Sequence, residues 1–216
     1  MKTFLLGVGI FLLYLIYDVN TRESFKPVNY TIEGDEIYQK HGDNHVEYSR
    51  FNYKTKECKH WYCKEMIKQV TNKKVLVLGV ALGGIIINIL DKYKNADVTG
   101  VDISDENFDL VKKYSDTKRL TLVEEDAKEY IKNTKKKFDI IICDVFINKY
   151  IPEFVLSKEF LNKINKMLLP NGKFLINTID IDVKRLLFIM NQSFTNATIE
   201  TKTNYLNNLV FVTKKN

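Results

Sequence analysis

Cysteine is scarce in this chain: Cys58, Cys63 and Cys143 are the only three in 216 residues. An odd number this small excludes a scaffold framed by disulfides and leaves the compartment open. Cys58, His60 and Cys63 lie close together in sequence but lack a fourth ligand and match no closed zinc spacing. No metal site is expected, and the cysteines read as ordinary packing plus a free thiol. A basic stripe with interleaved aromatics is also missing. The net charge is +6, but the 33 lysines and arginines are mixed with 27 acidic residues. Only Lys135, Lys136 and Lys137 form a compact run, and they fall on an expected loop. That pattern is a solvated surface, and no nucleic-acid partner is expected. There is no internal repeat or low-complexity tract, and 45% apolar residues suffice for one core of ordinary size with an N-terminal appendage.

The appendage is the one long apolar run. Residues 4–17 (FLLGVGIFLLYLIY) carry no charge and are bracketed by Lys2 and Asp18. At ~1.5 Å per residue they reach roughly 21 to 24 Å, short of a ~30 Å hydrocarbon core but workable with interfacial tyrosines and local thinning. The flank at 17–21 (YDVNT) lacks the small-x-small site of signal peptidase, so the segment is expected to stay as a membrane anchor. Lys2 on one side balances Arg22 and Lys26 on the other, and charge assigns no orientation. Sequons at Asn29, Asn191 and Asn196 would matter only for a lumenal domain. The chain therefore divides into an anchor (1–18), a linker with short strands (19–56) and an α/β domain (57–216).

Within the linker, alternation over 45–48 and 50–53 predicts one or two short strands. A helix is expected over 57–70. Strand and helix then alternate: strand 74–79, helix 81–93, strand 97–102, helix 105–114, strand 120–123, helix 127–133, strand 138–143, helix 157–167 and strand 173–177. Solidly apolar strands in this rhythm imply a parallel sheet covered on both faces. A helix over 183–190 and strands 197–202 and 208–213 break the rhythm, adding an antiparallel pair at the C-terminal end of a seven-stranded sheet.

Four successive strand ends carry residues suited to a ligand. Gly79, Ala81 and Gly83 form a small-residue turn opening a helix, where backbone can approach a ligand and free N–H groups are available. Asp102, followed by Ile103, ends the next strand 23 residues after Gly79, where a carboxylate can accept both hydroxyl protons of a ribose. Asp126 and Ala127 follow the third strand, where Asp126 could receive an adenine amino group or simply cap a helix. Asp144 follows the fourth, at the crevice where open α/β sheets bind ligands.

In order, VLVLGVALGG, VTGVDIS, LVEEDAKEYI, FDIIICDVF and IPEFVLSKEFLNKINKMLLPNGKFLIN resemble the motifs of spermidine-synthase-like proteins, the polyamine aminopropyltransferase-like branch of the class I S-adenosylmethionine-dependent methyltransferase fold. The resemblance covers about residues 57–213, with Tyr38-Gln39 similar to that family's N-terminal hairpin. It implies a Rossmann-like fold with Gly79, Ala81 and Gly83 along the cofactor's amino-acid tail, Asp102 and Ile103 at the ribose and Asp126 with Ala127 at the adenine. It also implies Asp144 at the reaction centre, with Phe146 and Tyr150 shaping the acceptor pocket, and allows a homodimer. The departures concern the substrate. Ile147 stands where the second carboxylate of the D-S-S-D-like motif would hold a diamine's far ammonium, and a desolvated ammonium needs such a partner. Leu82 replaces an aspartate expected in the glycine turn, and Cys63 and Lys64 replace a tyrosine and a histidine or glutamine. The expected activity is methyl transfer from S-adenosylmethionine to an acceptor that the sequence does not name. Aminopropyl transfer from decarboxylated S-adenosylmethionine is one alternative. A catalytically inactive, membrane-tethered binding domain is the other.

Overall fold

The computed structural model describes residues 30–41, 46–71, 73–147, 150–179, 181–205 and 207–215. The expected anchor at 4–17 and the sequon at Asn29 lie outside the described residues. Among the described residues no helix is long and apolar enough to cross a membrane.

Three antiparallel strands come first: β1 (Tyr30–Glu33), β2 (Glu36–His41) and β3 (Val46–Asn52). The two alternating stretches of the linker are thus one strand, and Tyr38-Gln39 lies in a hairpin as the resemblance implied. Ile37 and Phe51 are fully buried and join the core of the main domain, so this small sheet is more than a linker. Helix α1 (Trp61–Ile67) is shorter than the expected 57–70. Cys58 is committed to a bridge with Phe51, and the Lys59 N–H donates to Arg50 O at 3.0 Å, so the helix cannot begin before residue 60.

The main sheet uses β4 (Lys74–Leu78), β5 (Asp97–Asp102), β6 (Leu120–Glu124), β7 (Phe138–Cys143), β8 (Leu168–Ile179), β9 (Ala197–Thr203) and β10 (Asn207–Lys214). Helices α2 (Gly84–Lys92), α3 (Phe108–Tyr114), α4 (Ala127–Asn133), α5 (Lys158–Met167) and α6 (Val183–Ser193) connect them. The strand order is β6-β5-β4-β7-β8-β10-β9, parallel except where β10 runs antiparallel between β8 and β9. Side chains alternate across the sheet. Val75, Val77, Ile140 and Ile142 face a core shared with α1, α2 and α3, while Leu76, Leu78, Ile141 and Cys143 face one shared with α4, α5 and α6. Helix α5 shows why such segments fold: Phe160, Leu161, Ile164 and Met167 make one buried stripe, and the Ser157 hydroxyl caps the first turn by accepting from Phe160 N.

One boundary differs from expectation. The Leu169-Pro170-Asn171-Gly172 turn does not precede the fifth parallel strand but lies inside β8, as an irregularity across which pairing jumps from Phe138↔Leu168 to Ile140↔Lys173. Asn171 takes a φ of 58° there, a left-handed conformation that asparagine tolerates.

Candidate active site

The strand order reverses direction between β4 and β7, whose carboxyl ends carry Gly79 and Asp144. This is the switch point at which open α/β sheets form a ligand crevice. The two ends are in tight contact: a Cβ on Gly79, whose φ is +85°, would lie 2.3 Å from the Asp144 carbonyl oxygen. Gly83 (φ +79°) packs against Val111, where a Cβ would come within 2.4 Å of a methyl group. Both glycines are therefore required by backbone conformation and by chain-to-chain packing. Ala81, exposed and also left-handed at φ 47°, is the member of the turn that faces outward.

Asp102 binds this turn. Its Oδ2 accepts from Val80 N at 2.7 Å and Ala81 N at 3.1 Å, and its Oδ1 accepts from Ser104 N at 3.2 Å. A carboxylate offers about four lone-pair sites, so three such bonds leave capacity for a hydroxyl donor. Ile103 beside it is 43% exposed. Asp126 takes the capping role that was its alternative reading: its side chain accepts from Lys128 N at 2.7 Å. Ala127 is buried in the core against α5 and α6, so only its backbone is available to a ligand.

The other half of the crevice is chemically different. Asp144 Oδ1 accepts from Asn177 Nδ2 at 2.9 Å, and Asn177 Oδ1 accepts in turn from Asn207 Nδ2 at 3.0 Å. Burial raises the Asp144 pKa to about 6, with the Asn177 bond and the nearby Tyr62 hydroxyl of α1 opposing part of the rise. The Tyr62 hydroxyl is pushed well above its ordinary value by burial and by the adjacent carboxylate. Cys143, also enclosed, has a thiol pushed up to about 12 by burial and is inert as a nucleophile. Phe146 and Ile147 are half-buried just beyond Asp144, and Tyr150, 65% exposed, pairs with Ile147 in an isolated bridge. Asn148 lies outside the described residues.

Sequence reading did not find Tyr62, Asn177 or Asn207. No local motif marks them, because α1, β8 and β10 bring them together from across the chain. It also missed the Cys58–Cys63 disulfide, whose Cα atoms lie 6.1 Å apart. The usable signal was two cysteines five positions apart at a helix start. Among the described residues no His, Cys, Asp and Glu group could hold a metal ion. Leu82 is fully buried, so its side chain cannot meet a ligand. Lys64 lines a groove with Lys68, Asn88 and Lys92 between α1 and α2.

The chain resembles several known proteins. It is 33% identical over 111 residues to a polyamine aminopropyltransferase of Saccharolobus solfataricus, covering 46% of this chain and 36% of that one. It is 26% identical over 126 residues to a ubiquinone biosynthesis O-methyltransferase of Coxiella burnetii, covering 58% and 52%. These matches span about a third to a half of the relatives' own length. Among solved structures, a probable spermidine synthase from Corynebacterium glutamicum aligns with a TM-score of 0.69 at 16% identity, covering 87% of this chain and 80% of that one. Human methyltransferase-like protein 13, solved with SAH, aligns at 0.58 and 17% identity, covering 72% and 76%. At these identities the structural likeness establishes the fold, that of S-adenosylmethionine-dependent methyltransferases with spermidine-synthase-like relatives. The methyltransferase-domain model matches residues 69–215, about two thirds of the chain, and the protein belongs to that family.

Proposed function

We propose that the protein is an S-adenosylmethionine-dependent methyltransferase in which Asp144 orients and deprotonates the acceptor. The observation that carries this reading is the half-buried Asp144 carboxylate at the switch point, held by Asn177, with a pKa raised to about 6. Such a group is ionised at neutral pH yet close enough to it to exchange a proton with a substrate. The cofactor fits the opposite half of the crevice, with Ala81 at its tail, Asp102 at the ribose through its remaining acceptor capacity and the start of α4 at the adenine. When bound it supplies an electrophilic methyl group on a sulfonium. The protein's part is to hold acceptor and cofactor in line, which is mostly positioning.

Asp144 is the only carboxylate in the hydrogen-bonded cluster it forms with Asn177 and Asn207. Neutral amides complete the cluster, which suits an acceptor with one amine or hydroxyl better than a dication. Aminopropyl transfer is the second reading, favoured by the aminopropyltransferase match and opposed by Ile147. The apolar segment 4–17 is proposed as a membrane tether, to be checked by whether alkaline carbonate releases the full chain from membranes. For the cofactor, calorimetry with S-adenosylmethionine and with its decarboxylated form should show tighter binding of the former. Asp102→Ala should weaken that binding about tenfold to a hundredfold, as expected for one charge-assisted hydrogen bond. Binding of neither compound would overturn the transferase reading, and preference for the decarboxylated form would favour aminopropyl transfer.

A further inference from the structure

Two buried amides stand on a sheet face that is otherwise apolar around them. Asn177 follows Leu175 by two along β8 and lies opposite Leu209, while Asn207 precedes Leu209 by two along β10 and lies opposite Ile179. Alternation puts both on one face, where Leu175, Leu209 and Phe211 join the core shared with α1, α2 and α3. Asn177 is 2% exposed and Asn207 9%, so their polar atoms need partners within the protein. Asn177 Nδ2 donates to Asp144 Oδ1 at 2.9 Å, and Asn207 Nδ2 donates to Asn177 Oδ1 at 3.0 Å. The donors all point one way, toward the carboxylate.

That direction follows from the chemistry of the groups. An ionised carboxylate only accepts, so the NH2 end of Asn177 must face Asp144 and its carbonyl must face Asn207. Turned over, the amide would set its carbonyl against the carboxylate and its NH2 against that of Asn207, losing both bonds. Asn207 is itself held by its backbone: its N–H donates to Asn204 Oδ1 at 2.6 Å and its carbonyl accepts from Asn204 N at 3.0 Å, closing the turn between β9 and β10. Strands β8 and β9 each pair antiparallel with β10 and so run the same way, and β7 runs parallel to β8. The turn therefore emerges at the edge of the sheet where β7 ends beside Asp144.

We propose that Asn207 is a positioning residue that locks the polarity of the Asn177 amide, so that Asn177 presents Asp144 with a donor and never with an acceptor. The lock ties the turn that carries the exposed Tyr205 to the Asp144 half of the crevice. Without it, the Asn177 amide turns over when Asp144 is protonated and accepts the acid's O–H with its carbonyl, which favours the neutral form. With it, the ionised form is kept, the one that can take a proton from an acceptor. That last consequence rests on Asp144 being the group that meets the acceptor, whereas the lock itself is a property of the free protein.

The test uses the full chain without cofactor or acceptor, so its outcome is separate from the calorimetry that tests the transferase reading. Carboxyl carbon-13 NMR follows Asp144 from about pH 4 to about pH 8, its signal assigned through Asp144→Asn. Tyr62 and Cys143, the other titratable groups beside it, are pushed upward by burial and stay neutral over that range. Asn207→Leu should raise the Asp144 pKa by roughly half a unit or more, and Asn177→Leu by at least as much, since the charged form loses its donor. The double variant should match Asn177→Leu alone, because Asn207 acts only through an amide that is then gone. A merely structural role for Asn207 gives no such non-additivity. An Asp144 pKa unmoved by Asn207→Leu, in a variant with the circular dichroism of the wild type, would overturn the proposal, and so would additive shifts in the double variant. Should the variants fail to fold, the wild type decides: the side-chain amide nitrogen signals of Asn177 and Asn207 should both move with pH at the Asp144 midpoint, and signals that stay fixed while Asp144 titrates would overturn the lock.

Discussion

Asp102 and Asp144 stand at the carboxyl ends of β5 and β7, on the two sides of β4, yet one is bound by its own neighbourhood and the other by the whole molecule. Asp102 receives the amides of Val80, Ala81 and Ser104, all from the turn it faces or its own strand end. Asp144 receives Asn177, from a strand more than thirty residues further along the chain, and Asn207 of another strand extends the network one step further. A carboxylate solvated by backbone amides is suited to holding a ligand's hydroxyls. One that is half-buried, with a raised pKa, is suited to proton exchange with whatever reaches it. The crevice thus has a local half and an assembled half, and the outcomes below test how separate they are.

Gly79 is where the halves touch, and the largest effect is expected there. Gly79→Ala adds a Cβ 2.3 Å from the Asp144 carbonyl oxygen in a backbone with φ +85°. Neither rotamer change nor a flexible neighbour can relieve a contact between two main chains. The variant is expected to lose about 3 kcal/mol or more in chemical denaturation, or to fail to accumulate as folded protein. A loss below about 1 kcal/mol would mean that the two strand ends can separate, and that the halves are mechanically independent.

Asp144→Asn comes next. The folded-state pKa of about 6 lies above the ordinary 3.8. The folded protein therefore binds this proton more tightly than the unfolded chain, and stability falls as pH rises from about 4 to about 6 before levelling. Asparagine does not ionise, so the variant should equal the wild type near pH 4 and exceed it above pH 6 by at most about 3 kcal/mol. Transfer activity should drop about a hundredfold or more, and in the wild type should rise with pH through about 6. A variant no more stable than the wild type at pH 8 would show that burial does not raise the Asp144 pKa.

The same contrast explains how much was legible in the sequence. The β-α alternation, the seven-stranded sheet with its antiparallel end and the positions of Gly79, Asp102, Asp126 and Asp144 follow from short-range patterns, because each lies at a strand end defined by a few neighbouring residues. Tyr62, Asn177 and Asn207 gave no such signal: each lies in a segment whose own pattern speaks only of helix or strand, and register alone brings them together. The disulfide was missed because three cysteines leave the compartment open, and a five-residue spacing does not by itself announce a pair. Gly79 and Gly83 have a second reason to be glycine that the sequence does not announce, since the packing of Asp144 and Val111 also demands it. The site's local half was readable because it is local.

Ala81 provides the smallest and most discriminating perturbation. Its φ of 47° places an alanine in the left-handed region, at a cost on the order of 1 kcal/mol that glycine would not incur. Its N–H donates to Asp102 Oδ2, and glycine keeps that bond. Ala81→Gly removes the strain but adds freedom to the unfolded chain, so the net stabilisation should be about 0.5 kcal/mol. If the turn's geometry is set by Asp102 and by packing, the affinity for S-adenosylmethionine should stay within about twofold, since no backbone donor has moved. A drop of about tenfold or more would mean that the exposed methyl group itself touches the ligand. The local half would then recognise its ligand through side chains as well as backbone, and the division between the two halves would be narrower than their hydrogen bonds suggest.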